Sequence, residues 1–97
     1  MKTCTIYGLV ATDCQEEIRY IGCTAHKLNN RLCMNIYESK KKDSSPKHKW
    51  INEVLKRCAD IQICFLIETP IDNRKMVERE YIKEYSKKYD LTNMNSG

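Results

Sequence analysis

The sequence has little that permits unusual backbone geometry: three Gly and two Pro in 97 residues. Such low counts exclude a Gly/Pro-rich linker and a fibrous repeat. No apolar run approaches the ~18 residues of a membrane-spanning helix, and the start, Met1-Lys2-Thr3-Cys4, lacks the apolar stretch of a signal peptide. An intracellular, non-secreted protein is expected, with no membrane as partner. There is no C-x-x-C, and His26 and His48 stand far from any cysteine pair, which argues against structural zinc. The six cysteines, without a secretory context, are expected to be reduced thiols, most of them small buried apolar side chains. Internal repeats and low-complexity tracts are absent.

What is present suits one small globular domain spanning residues 1–97: 41% hydrophobic and 31% charged residues. Seventeen Lys plus Arg against thirteen Asp plus Glu leave a formal charge of +4. That balance allows a polyanionic partner without requiring one.

Residues 3–10 alternate in side-chain character and are rich in β-branched and aromatic types, so they predict a strand with Ile6 and Tyr7 on opposite faces. A polar stretch and a second short strand over residues 18–22 complete a hairpin. Leu28, Leu32 and Ile36 recur at the spacing of one helix face and predict a first helix over residues 26–37. Residues 39–49 carry Lys40, Lys41, Lys42, Lys47 and Lys49 around a Ser-Ser-Pro breaker and read as a basic connection. Pro46 suits the first turn of a second helix, in which Trp50, Ile51, Val54, Leu55 and Cys58 fall at helical spacing. Trp50 can stack on a base, but this spacing favours a core anchor.

Residues 61–67 are almost continuously apolar, the pattern of a strand at the centre of a core. From Asp72 or Asn73, either a plausible N-cap, to Tyr89, an apolar stripe of Met76, Val77, Tyr81, Ile82 and Tyr85 predicts a third helix. At ~100° per residue Glu78 falls only about 50° from the centre of that stripe. A carboxylate so placed is paired, hydrogen-bonded, coordinating a cation, or reaching out to solvent from the stripe's edge.

The order of elements, with Thr5-Ile6-Tyr7 and Tyr20-Ile21-Gly22, resembles the GIY-YIG nuclease family. Further elements follow in order: Arg31 nine residues after Gly22, Glu78 in Glu78-Arg79-Glu80-Tyr81-Ile82-Lys83, and Asn93 near the end. The resemblance spans nearly the whole chain, from Thr5 to Gly97. It implies an α+β fold, a small three-stranded antiparallel sheet flanked by three helices. It also implies a homing-endonuclease-like catalytic domain that hydrolyses DNA with one Mg²⁺ or Mn²⁺ ion.

On this resemblance Glu78 is the sole protein ligand of the metal, consistent with how few carboxylates Mg²⁺ needs. Arg31 offers a planar charged fork to the phosphate. Tyr7 and Tyr20 correspond to the family tyrosines that orient and deprotonate water. A phenol is a poor base at neutral pH, so Tyr7 is expected to position more than to deprotonate. Asn93 ties the terminal segment to the site, and Gly22 serves the backbone, by a turn or a close approach.

Two departures stand out: Thr5 replaces the first Gly, and Asn35 stands where many members have His, one helical turn from Arg31. Asn35 cannot relay a proton but can hydrogen-bond phosphate or water. His48 is then an alternative base or substrate contact. The segment Lys40 to Lys49, with Lys40, Lys41 and Lys42 foremost, is the candidate contact to the DNA backbone. The expected partner is DNA, double-stranded before single-stranded or RNA, and a homodimer is one arrangement that would supply two active sites. The alternative function is a catalytically impaired nucleic-acid-binding module on the same scaffold. A third reading is a protein-partner domain whose lysines only solubilise it.

Overall fold

The computed structural model describes residues 2–41 and 45–93. Strand β1 (Thr3–Ala11) pairs antiparallel with both β2 (Tyr20–Thr24) and β3 (Ile61–Pro70), giving the sheet order β2-β1-β3. Helices α1 (Leu28–Lys41) and α2 (Pro46–Lys56) separate β2 from β3, and α3 (Arg74–Ser86) follows a single 3-10 turn, Ile71–Asn73. The fold is therefore α+β, with a three-stranded antiparallel sheet and three helices, as expected.

Six consecutive residues of β1, Ile6 to Ala11, are buried, which requires cover on both faces of the sheet. Tyr7, Leu9 and Ala11 join Trp50, Ile51 and Val54 of α2 and Ile61 of β3, with Leu28, Leu32 and Ile36 of α1 packed against them. On the opposite face Ile6 and Ile21 meet Ile82, with Val77, Tyr81 and Tyr85 of α3 alongside. Each fully buried aliphatic side chain contributes about 1.5–3 kcal/mol. Ile6 and Tyr7 do face opposite ways, and Trp50 is the core anchor that its spacing indicated.

Several elements lie elsewhere than the sequence pattern predicts. The apolar run 61–67 is not the centre of the core: β3 is an edge strand, Phe65 is 60% exposed, and the central strand is β1. A break in register between Ile6 and Tyr7, which pair with Ile67 and Phe65, leaves Leu66 as an extra residue in β3. The second strand starts and ends two residues later than expected. Helix α1 runs on to Lys41 because nothing in Glu38-Ser39-Lys40-Lys41 breaks it. Buried Ser39 bonds the Ile36 carbonyl, and its own carbonyl accepts from Asn52 of α2. Lys40 and Lys41 thus belong to a helix end, Lys47 and Lys49 to the start of α2, and Lys42 lies outside the described residues. Helix α3 begins at Arg74 and ends at Ser86, short of Tyr89, and Met76 is 58% exposed. Asn73 holds the N-cap position without a side-chain cap bond.

Helix α2 has well-defined ends. Ser45 caps it by accepting the His48 amide at 3.2 Å, with Pro46 at its first turn. At the other end Cys58 takes φ 65° and donates to the Leu55 carbonyl, while Ala59 donates to Val54. This is a Schellman ending with Cys where Gly is usual. All six cysteines are free, but Cys14, Cys33 and Cys58 are exposed, against the expectation that most would be buried. Among the described residues no helix is long and apolar enough to cross a membrane.

Candidate active site

The outer edge of β2 would present unpaired backbone groups, and the segment after α3 covers it. Thr92 donates its amide (2.6 Å) and hydroxyl (2.8 Å) to the Arg19 carbonyl. Asn93 accepts the Ile21 amide at 3.0 Å and donates to the Ile21 carbonyl at 2.8 Å. Its amide side chain thus mimics one residue of a neighbouring strand and ties the segment to β2.

Gly22 pairs with Tyr7 in the sheet, two residues from Tyr20 on the same face. A Cβ at Gly22 would lie 2.5 Å from both Cζ and Oη of Tyr7 and 2.9 Å from Cε2 of Tyr20. Gly22 is therefore required by close approach and not by a turn. The two tyrosine rings sit 6.3 Å apart across it. Tyr7 has no exposed surface, so in this structure its hydroxyl meets protein and not solvent. Burial, then the charges of Tyr7 and Glu78, push the Tyr20 phenol upward, so it is a neutral donor and acceptor at physiological pH.

The Tyr7 oxygen accepts two bonds from one face of α1, from Arg31 Nε and from Asn35 Nδ2, both at 3.3 Å. Their spacing of four residues permits this. Burial works against the Arg31 charge, but the Tyr7 bond and the electrostatics of Tyr7, Glu38 and Tyr20 together outweigh it and raise the pKa; a carboxylate oxygen of Glu38 lies 3.6 Å from Nη1. Asn35 is also fully buried. Its Oδ1 accepts from Lys47 Nζ at 3.0 Å, which fixes the amide orientation, because an ammonium can only donate. Lys47 Nζ also lies 4.7 Å from the centre of the Tyr20 ring. Burial first, and then the like charge of Arg31, lower the Lys47 pKa.

Beside this cluster is a groove of about 400 Å³ whose lining includes Tyr20, Ser45, Lys47, His48, Glu78 and Asn93. Glu78 is half-buried, and no hydrogen bond or ion pair within 4.0 Å engages its carboxylate among the described residues. Burial raises its pKa and Arg74 partly opposes that shift. A second hollow, of about 290 Å³, has Glu78 in its lining together with Cys4, Cys23 and Arg74. No group of three or more His, Cys, Asp or Glu is gathered for a metal among the described residues. The donor set fits instead a hard cation held by one carboxylate, with water and substrate oxygens completing its shell.

Of the residues marked from sequence, Tyr20, His48, Glu78 and Asn93 line the groove together. Tyr7, Arg31 and Asn35 form the bonded cluster behind Tyr20 and Lys47, and Gly22 lies beneath the Tyr7 ring. Lys40 and Lys41 are exposed at the end of α1, with Lys41 Nζ 4.6 Å from the Tyr37 ring centre, and neither lines the groove. Asn35 contacts no solvent, because both ends of its amide are used within the protein. The sequence pattern included Lys47 only within the Lys40 to Lys49 segment expected to contact the DNA backbone, and did not single it out as a groove residue. Its position in the first turn after Pro46 was the available signal, since a helix start there faces the end of α1.

Comparison with protein-family models, with curated proteins and with solved structures finds no match to this chain.

Proposed function

We propose that this chain is a divalent-metal-dependent endonuclease of the GIY-YIG type, hydrolysing phosphodiester bonds of DNA. The observation that carries the proposal is Glu78: a half-buried carboxylate with no hydrogen bond or ion pair within 4.0 Å among the described residues, in a groove shared with Tyr20, His48 and Asn93. Leaving a charge half-desolvated costs free energy, and a cation would recover it. Mg²⁺ or Mn²⁺ there would supply Lewis-acid polarisation of the phosphoryl and leaving oxygens.

The chain's own residues perform the rest. Arg31, held by the Tyr7 oxygen behind the groove's lining, adds positive charge to the field at the phosphate, where negative charge grows during attack. Tyr20, neutral, orients the attacking water by its hydroxyl. Tyr7, without access to solvent, positions Arg31 instead of taking a proton. His48 lines the groove, but both its ring nitrogens are buried, so in this structure they do not meet the groove's solvent. Asn93 holds the groove's wall to β2.

The test is a plasmid incubated with wild type or Glu78→Ala, with Mg²⁺, Mn²⁺ or chelator, and with circular dichroism to check the fold. Metal-dependent loss of supercoiled DNA by wild type alone is expected. Equal cleavage by the folded variant would count against the proposal. The burial of Tyr7 and Asn35 favours a second reading, a binding module without turnover, because neither side chain reaches water. That reading expects both proteins to retard DNA on a gel and neither to cut it.

A further inference from the structure

Among the described residues that line the groove there is one lysine or arginine, and it is not Arg31. Lys47 reaches it from the first turn of α2, where the Ser45 cap and Pro46 fix the helix start. We propose that Lys47 is the groove's phosphate-binding residue, holding a substrate phosphate directly while its bond to Asn35 keeps the Arg31–Tyr7 cluster in place. This deepens the nuclease reading and rests on it for the identity of the substrate.

Donor counting supports the assignment. An ammonium has three N–H groups and no acceptor. One points to Asn35 Oδ1, and the Tyr20 ring face takes up a second. The third remains for the groove. No carboxylate lies within 4.0 Å of Nζ among the described residues. Partly desolvated and repelled by Arg31, Lys47 holds its proton less firmly than a surface lysine. An anion in the groove beside Lys47 offsets both the desolvation of its charge and the repulsion from Arg31 behind it. Phosphate suits the place, since lysine acts on it as a point charge and needs no bidentate geometry.

The assignment also separates two kinds of basic residue. Lys40 and Lys41 stand exposed at a helix end, where contacts to a DNA backbone are made and broken in solvent. Lys47 is anchored on two sides, so less side-chain freedom is lost when it binds.

The experiment measures binding of two unrelated short DNA duplexes in chelator over a salt series. It compares wild type, Lys47→Met, Lys47→Arg and, as a control for bulk charge, Lys83→Met on the exposed side of α3. Lys47→Met is expected to weaken both duplexes alike, roughly tenfold or more, with the salt slope reduced by about 0.9. Lys47→Arg should keep the slope, and Lys83→Met should change little. If Lys47→Met does not fold, Lys47→Gln replaces it, keeping a donor for Asn35 without the charge.

Wild-type affinity and slope in a folded Lys47→Met would overturn the assignment, even if metal-dependent cleavage by wild type upheld the nuclease reading. If wild type binds no duplex, the nuclease reading fails and inorganic phosphate becomes the probe. A rise in the melting midpoint of wild type but not of the Lys47 variant would keep the phosphate site, and equal behaviour would end it.

Discussion

Replacing Gly22 by Ala tests the geometry on which the whole site depends. The new Cβ would stand 2.5 Å from Tyr7 Cζ and Oη, about 1 Å inside ordinary contact, and 2.9 Å from Tyr20 Cε2. Neither the backbone of β2, fixed by Asn93, nor the fully buried Tyr7 ring can move freely. Overpacking of this kind costs about 1–3 kcal/mol. Displacing Tyr7 also weakens the bonds from Arg31 and Asn35, at about 1 kcal/mol each. Against this, Ala is better than Gly in a strand by about 0.5–1 kcal/mol. A net loss of about 2 kcal/mol follows, which for a domain of this size lowers the melting midpoint by roughly 8–16 °C. Differential scanning calorimetry of wild type and Gly22→Ala reads the shift. Tyr7→Phe in the Gly22→Ala background should not recover the loss, because Cζ stays where it is. An unchanged midpoint for Gly22→Ala would refute the close approach and the positioning role given to Tyr7.

Other expectations follow from single features. Cys58 occupies the left-handed region at the end of α2, so Cys58→Gly should raise stability by about 0.5–1 kcal/mol in urea unfolding. Glu78 is penalised in the folded state when charged, because burial raises its pKa. Glu78→Gln should therefore be more stable than wild type at pH 7 in chelator. That gap should close as pH falls below the unfolded carboxyl value of about 4.3, where both forms are neutral. Burial, then Cys4, whose Sγ is 2.9 Å away, push the Cys23 thiol up to about 12. Mass mapping after brief iodoacetamide treatment should accordingly find label at exposed Cys14, Cys33 and Cys58 before Cys23.

The elements were legible in the sequence wherever the pattern depends on one segment alone. Leu28, Leu32 and Ile36 mark the buried side of α1, and Pro46 with Trp50, Ile51 and Val54 marks α2, because helix periodicity is local. Strand order is not local. The run 61–67 looks central because it is apolar, whereas β1 hides its central place behind small residues, Gly8 and Ala11, that are buried without being strongly hydrophobic. The bulge at Leu66 could not be seen either, since it exists only in the pairing with Ile6 and Tyr7. The same division holds in the groove. Glu78 was found from its angle on one helix, and the shared face of Arg31 and Asn35 from i, i+4 spacing. Lys47 escaped because its contacts join α2 to Asn35 on α1 and to Tyr20 on β2, and its neighbours in sequence, His48 and Lys49, disguise it as part of a solvated charge run. The burial of Tyr7 was equally out of reach, being fixed by Gly22 on the neighbouring strand.

The central claim is that Glu78 recruits the cation on which DNA cleavage depends. The most direct measurement is the single-turnover cleavage rate of one end-labelled duplex against Mg²⁺ concentration, for wild type and Glu78→Gln, with duplex binding measured in parallel. The account predicts a rate that rises and saturates with Mg²⁺ in wild type and stays at background in Glu78→Gln, while both proteins bind the duplex. The same Mg²⁺ dependence in both, or no cleavage by wild type at any Mg²⁺ concentration, would contradict it.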